Sequence, residues 1–320
     1  MPPSVVRTFL QGKSSGRWAD GAFSGVMLLC AMSIFFIVAL IVFVLVMNSN
    51  ESIHAFGWHF FVGRVWNPVS GRFGALPFIW GTLVSSLLAL AMAVPLALCV
   101  SIFLLEICPL PLRAPISFLT ELLAAIPSVV YGLWGVFVLV PLMRDHVGPV
   151  LERVLGWTGS FAEPNFGVGL FTASVILAVM IFPVISSISR DVMRAVPVNQ
   201  REAALALGAT RWEMIRIGVL RNARIGIVGS VILGLGRALG ETMAVTMVIG
   251  NHAAIAKNLF APGYTLASVI ANEFTEATGD LYLSALIEIG LALFLVTIVV
   301  NAIARLLVWA VTRGNTARHA

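Results

Sequence analysis

Six runs of this chain are apolar and long enough to cross a lipid bilayer, and that limits its fold more than any other feature. A spanning helix needs about 20 predominantly apolar residues. The runs are Ser24–Met47, Leu76–Leu105, Ile116–Met143, Val168–Ser189, Ile225–Gly250 and Leu283–Val311. Hydrocarbon offers no water to backbone N–H and C=O groups, so only helices and closed barrels survive there. Barrel strands are about 9–11 residues long. Runs of this length therefore predict an all-α integral membrane protein with six transmembrane helices. Charged residues are 11% of the chain, against about 25% in soluble domains, and mean hydropathy is +0.98. Pro95 and Pro127 fall inside the second and third runs and predict kinks rather than ends. The first run exceeds the ~7–15 apolar residues of a signal peptide. No small-x-small cleavage site closes it, so it reads as a retained span.

The basic excess, 20 Lys and Arg against 15 Asp and Glu, has a membrane explanation. Cytoplasmic loops of membrane proteins are rich in Lys and Arg. With both termini cytoplasmic, 14 of the 20 fall on that side: Arg7, Lys13, Arg17, Arg113, seven between Arg190 and Arg224, Arg305, Arg313 and Arg318. Five lie opposite (Arg64, Arg72, Arg144, Arg153 and Lys257), and Arg237 sits within a span. The basicity thus points to membrane lipid and not to nucleic acid. The expected organisation is a cytoplasmic segment 1–23, a first helix 24–47 and an external loop 48–75. A five-helix core 76–311 follows, with a cytoplasmic loop 190–224, and a tail 312–320 ends the chain.

Several patterns are discounted. Gly12-Lys13-Ser14 resembles the end of a phosphate-binding loop, but Arg7 stands where that motif needs glycine. Gly234, Gly236 and Gly240 miss the dinucleotide spacing, and Gly236-xxx-Gly240 instead suits close helix packing. Asn50-Glu51-Ser52 fits a glycosylation pattern, which means nothing in a bacterial host. Cys30, Cys99 and Cys108 have no metal-ligand spacing. No metal site, resident cofactor or catalytic centre is expected. Trp58, Phe60, Phe61 and Trp66, and further on Trp157 and Phe161, read as an interfacial aromatic belt or a docking surface for an external partner. The acidic stretch Asn251–Leu281 is a candidate external cap.

Arg237 and Glu241 are the charges between Ile225 and Gly250. Four residues apart, they would share one face of a helix. A charge at bilayer depth costs about 2.5–3.5 kcal/mol on insertion scales, so the pair needs a function. Three readings stand: residues of a substrate pathway, a gate or structural ion pair, and contacts to a second subunit. Glu121 and Glu288 line a path or bond neighbouring helices, and Arg305 snorkels to the cytoplasmic side.

In the longest cytoplasmic loop, Glu202-Ala203-Ala204-Leu205-Ala206-Leu207-Gly208-Ala209 continues into Arg211-Trp212-Glu213-Met214-Ile215. Pro197 and Asn199 mark a helix start and Gly208 a turn into a second short helix. Ala203, Leu207, Trp212 and Ile215 would fill a groove on a soluble partner. This segment resembles the Glu-Ala-Ala loop of ABC-importer permeases, which docks on the ATPase subunit. Arg221 departs from it, because the family pattern has proline there. Gly234-Leu235-Gly236-Arg237-Ala238-Leu239-Gly240-Glu241-Thr242-Met243-Ala244-Val245 is similar to the fifth-span signature of phosphate-specific ABC permeases. Ala124-Ala125-Ile126-Pro127-Ser128-Val129-Val130-Tyr131-Gly132-Leu133-Trp134-Gly135 resembles the same group. The likeness runs from about Leu76 to the end.

The resemblance implies a type I ABC-importer permease (MetI-like) fold and a role in ATP-driven phosphate import. It implies a second permease subunit, two ATPase subunits that bind ATP and Mg, and an external phosphate-binding protein. Glu202, Ala203, Ala204, Leu207, Gly208, Trp212 and Ile215 would couple the ATPases to the spans. Independently, the planar guanidinium fork of Arg237 suits phosphate oxygens, and Glu241 can accept a hydrogen bond from protonated phosphate while repelling sulfate. A permease for sulfate or molybdate, or a stand-alone secondary transporter, are the alternatives.

Overall fold

A computed structural model describes residues 16–161, 164–255 and 257–316. Of the expected terminal segments, 1–15 and 317–320 lie outside the described residues, Gly12-Lys13-Ser14 among them. Six helices are long and apolar enough to cross a membrane: Asp20–Asn48, Leu76–Ile107, Ser128–Thr158, Leu170–Arg194, Arg211–Leu239 and Asp280–Trp309. The chain divides into two compact units, Met1–Asn48 and Ser49–Ala320. The first consists of α1 (Gly16–Asn48). From Gly21 to Met47 it is uncharged and apolar on every side, the pattern of a helix with lipid all round.

The second unit begins with the short α2 (Asn50–Phe56) and continues into α3 (Leu76–Ile102), which a wide π-type turn extends to Ile107. Then come α4 (Leu110–Ala125) and α5 (Ser128–Trp134), the latter prolonged by further turns to Thr158. The hub is α6 (Leu170–Arg194). Beyond it lie α7 (Val198–Ala206), α8 (Arg221–Leu239), α9 (Met243–Val248), α10 (Leu266–Glu273) and α11 (Asp280–Thr316).

The hub packs mainly against α3 and α8. Between apolar helices in lipid, association rests on close packing and interhelical hydrogen bonds, which small residues permit. Ala89, Ala93 and Ala97 of α3 are buried against the hub's Ile176, Met180 and Ile185 cluster. Ser101 donates to the Ser186 carbonyl at 2.8 Å, and the Ser189 and Ser230 hydroxyls meet at 2.8 Å. On α8 the glycines that allow close approach are Gly226, against Val192, and Gly234, against Ile185. That corrects the expectation for Gly236-xxx-Gly240: within this chain neither glycine packs closely against a neighbouring helix.

Two expected spans are redrawn. The third was expected at Ile116–Met143 with a kink at Pro127. The helix instead ends at Ala125 and restarts at Ser128, and the spanning helix is Ser128–Thr158. The residue before proline avoids the α region, and Ile126 and Pro127 are extended, with ψ of 128° and 143°. Pro127 has no N–H for the Leu123 carbonyl, and the Tyr131 hydroxyl donates to it at 2.7 Å. The fifth span, expected as one helix over Ile225–Gly250, runs from Arg211 to Leu239 and breaks before α9. Pro95 does stay inside α3.

At the end opposite α7, the loops fold into a cap. Phe60, Phe73, Phe78 and Tyr264 are buried with the start of α11. Trp66 sits edge-on to Phe73 and Phe78, and Glu273 accepts from both Trp66 Nε1 and Tyr282 Oη at 2.7 Å. Burial pushes the Tyr264 phenol up to about 12, so it stays neutral and accepts from Asn272 Nδ2 at 2.8 Å. Phe60, Phe61 and Trp66 are thus part of the core of a cap and not an interfacial belt, whereas Trp58 (79%) and Trp157 (85%) are exposed.

Candidate functional site

Three residues, Gly240–Thr242, interrupt the fifth span. Gly240 follows the last helical residue of α8 (φ −96°, ψ 1°), Glu241 lies outside both helices, and Thr242 is the N-cap of α9, its carbonyl accepting from the Thr246 N–H at 2.9 Å. Glycine, a carboxylate and a β-branched residue in sequence favour helix ends over helix interiors. Non-helical backbone at membrane depth is tolerated only against protein or a water-filled cavity.

The break changes the geometry of the charged pair. Arg237 lies in the last turn of α8, exposed on the chain, whereas Glu241 lies beyond the helix end. They do not share a helix face, because that expectation assumed an unbroken helix. Among the described residues the ion pairs within 4.0 Å are Arg144–Asp145, Arg190–Glu121, Arg190–Asp191 and Arg201–Glu106; Arg237 and Glu241 form none. Glu241 Oε1 instead accepts from the Ala244 N–H at 3.3 Å, in the first turn of α9. Arg237 lies within electrostatic range of the Tyr131 hydroxyl.

The two breaks face each other, since α9 packs on α5. A Cβ on Gly132 would stand 3.2 Å from Ala244 Cα and collide with Met247 Sδ; one on Gly135 would meet Val248 Cγ1 at 2.9 Å. Glycine at both positions lets the half-helices touch. Asn251 follows α9 with φ of +49°. Beside Gly236, a groove of about 620 Å³ runs between α8 and α11, lined on α11 by Thr297, Asn301 and Arg305 at one-turn intervals. Glu121 pairs with Arg190 at 3.0 Å. Glu288 is buried, 2% exposed, with Oε2 unpartnered close to Ser52.

The loop between α6 and α8 has its own construction. Pro197 caps α7, and Gly208 turns the chain with φ of +82°. Thr210 and Glu213 then form a reciprocal capping box. The second helix is not short: from Arg211 it runs through a π-type turn at Met214–Leu220 into α8. Arg221, unlike proline, keeps its backbone N–H, so this helix passes through uninterrupted. Glu202, Ala203, Leu207 (89% exposed), Gly208 and Trp212 (60%) lie open, and Ala204 is half-buried. Ile215 departs from expectation: at 4% exposure it packs with Met193, Val196 and Val219, anchoring the loop instead of meeting a partner. Sequence reading missed Arg201. It donates to Glu106 at 3.2 Å and to the Val196 and Met193 carbonyls at 3.0 and 2.9 Å, tying α7 to the end of the second span. Its partner lies 95 residues away, and no local pattern marks it.

Membrane-length helices with two apposed breaks, one of them continuous with an exposed helix–turn–helix loop, suit a protein that moves something through the membrane. Residues 109–313 match the family of binding-protein-dependent transport system inner membrane components, and the chain belongs to that family. It is 50% identical over 262 residues to the phosphate transport system permease protein PstC of Mesorhizobium japonicum, covering 81% of this chain and 80% of that protein. It is 48% identical over 295 residues to the PstC of Haemophilus influenzae, covering 91% and 93%. Among solved structures it resembles the inward-facing MetNI methionine ABC transporter (TM-score 0.52, 19% identity, 71% of this chain and 93% of that one). It also resembles a bacterial alginate ABC transporter in complex with its alginate-bound periplasmic protein (TM-score 0.57, 17% identity, 91% and 96%). Those likenesses establish the MetI-type permease fold. The chain is a multi-pass ABC-transporter permease component of the bacterial plasma membrane.

Proposed function

We propose that this chain is the PstC-type permease subunit of an ATP-driven importer of inorganic phosphate. One observation carries the site assignment: Arg237 stands exposed in the last turn of α8, beside a break in the fifth apolar span, with no carboxylate among the described residues within 4.0 Å. A guanidinium left open within a span needs an anion or a second subunit to compensate it. Phosphate fits its planar donor fork. Glu241 keeps Oε2 for a proton carried by phosphate, which sulfate lacks at neutral pH.

Both termini then face the cytoplasm, a reading the Lys and Arg distribution supports. A PstA-like permease completes the pathway. Two PstB-like ATPases, which bind ATP and Mg, dock on Glu202, Ala203, Ala204, Leu207, Gly208 and Trp212, and a PstS-like protein delivers phosphate at the cap. This chain is a non-catalytic partner. ATPase closure pushes α7; the Arg201–Glu106 link passes the displacement to the second span, and the continuous Arg211–Leu239 helix passes it to Arg237. A motion transmitted this way shifts the balance between inward- and outward-open states.

The test is Arg237→Ala in the reconstituted transporter. Loss of a charge-assisted bidentate contact, about 1.5–3 kcal/mol, should lower phosphate uptake by about 10- to 100-fold, with the complex still assembled. Uptake at the wild-type rate would reject Arg237 as a pathway residue.

A further inference from the structure

The face that carries α7 holds a second charged site, used neither by the proposed path nor by the ATPase contact. A cavity of about 340 Å³ opens between the start of α4, the extension of α3 and the end of α6. Arg113, Arg190, Arg194, Ser117 and Glu121 line its polar side, and Leu104, Leu105 and Leu110 its apolar side. Arg190 and Arg194 are one turn apart on α6 and share a face. Arg113 reaches in from the first turns of α4.

Their partners are unequal. Arg190 is held by Glu121 at 3.0 Å and lies 3.9 Å from Asp191. Arg113 donates from Nη2 to the Leu105 carbonyl at 2.8 Å, which fixes its plane, but its buried Nε has no acceptor. Neither Arg113 nor Arg194 lies within 4.0 Å of a carboxylate among the described residues. A guanidinium with a buried, unpartnered N–H and no carboxylate beside it is costly to keep, and an anion in the cavity that Arg113 lines would offset its charge. Three guanidiniums against Glu121 in the lining and Asp191 beside it leave an excess of positive charge that favours anions, and guanidinium donor geometry matches phosphate oxygens. Next to it, α4 exposes Phe118, Leu119 and Leu122. A charged pocket beside exposed apolar surface suits an anionic phospholipid.

We infer that this cavity binds a phosphate-bearing anion through Arg113, Arg190 and Arg194. The same chemistry has two sources, the headgroup of an anionic phospholipid and free inorganic phosphate. Occupancy neutralises the cluster and cements α4 to α6, one turn from the Arg201 anchor of α7.

The test uses the assembled, detergent-purified transporter carrying Arg237→Ala, so that phosphate binding in the proposed path does not contribute. It is titrated with dihexanoylphosphatidylglycerol, dihexanoylphosphatidylcholine and inorganic phosphate, and binding is read by thermophoresis. Saturation by phosphatidylglycerol identifies a lipid site; saturation by inorganic phosphate alone identifies a free-anion site. Either is expected to weaken by about tenfold in R194Q, and again in R113Q, as one charge-assisted contact is lost each time. Arg194 is exposed, so R194Q reports even if R113Q fails to fold. Equal saturation by phosphatidylcholine, no saturation by either anion, or unchanged affinity in R194Q would overturn the proposal.

Discussion

The hub helix and the fifth span treat polar groups in opposite ways. In α6 the hydroxyls turn inward and find partners: Thr172 donates to Gly167, Ser174 to Leu170, Ser186 faces Ser101, and Ser189 meets Ser230. In the fifth span Arg237 faces out of the chain, and Gly240–Thr242 separate two helices next to it. Satisfied polar groups in a membrane helix hold a protein together. Polar groups left open reserve a place for something from outside, whether substrate, water or subunit. If that division is right, damage to the hub removes the protein and damage to the break removes only its activity.

The largest effect should follow Gly234→Leu. A Cβ at Gly234 already stands 2.7 Å from Ile185 Cδ1, and a full leucine must separate α8 from α6. Overpacking of this kind costs about 1–3 kcal/mol, so the amount of folded complex in the membrane should fall sharply. Gly236→Ala, two residues on, enters open space and should leave that amount unchanged. Assembly of Gly234→Leu at wild-type levels would break the contrast between hub and break.

The next effect belongs to the break. Glu241→Gln keeps the acceptor for the Ala244 N–H but removes the charge. Sulfate should then gain on phosphate by about tenfold in competition uptake, the value of one charge-assisted contact. An unchanged preference would leave Glu241 only its capping role.

Gly208→Ala probes how motion reaches the break. A Cβ there meets nothing within 4 Å, so the cost is purely conformational, at φ of +82°. Holding alanine in that region costs roughly 1–2 kcal/mol. Stimulation of ATP hydrolysis by the loaded binding protein should fall several-fold, while basal hydrolysis stays the same.

What could be read from the sequence follows from the range of the interactions. Apolar runs and basic loops are local, and they placed four of the six spans closely and the Gly208 turn. The two breaks are tertiary. Pro127 reads as a kink until α9 packs against α5 and Tyr131 satisfies the Leu123 carbonyl. Arg237 and Glu241 were legible as unusual charges, but their separation was not, because helical spacing presumes a helix. A small-xxx-small spacing cannot say which face meets a neighbour, so Gly236 and Gly240 stood in for Gly226 and Gly234. Trp66 and Glu273, 207 residues apart, carry no sequence signal of their bond. Ile215 looked like a surface anchor because the turn direction between α7 and the next helix was unknown.

The smallest effect is the most direct test of the hub's side of the comparison. Ser230 Oγ donates to the Ile227 carbonyl at 2.7 Å and accepts from Ser189 at 2.8 Å, bridging α8 and α6. Ser230→Ala removes the bridge without changing the packing volume much, and Ser189 can turn back to a carbonyl of its own helix. Interhelical hydrogen bonds in membrane proteins average about 0.6 kcal/mol. The expected result is a transporter whose thermal midpoint in detergent drops by a degree or two, with phosphate uptake unchanged at the growth temperature. A loss of uptake with no loss of stability would place Ser230 on the moving side of the molecule, and the line between hub and break would then run through α8 instead of at its end.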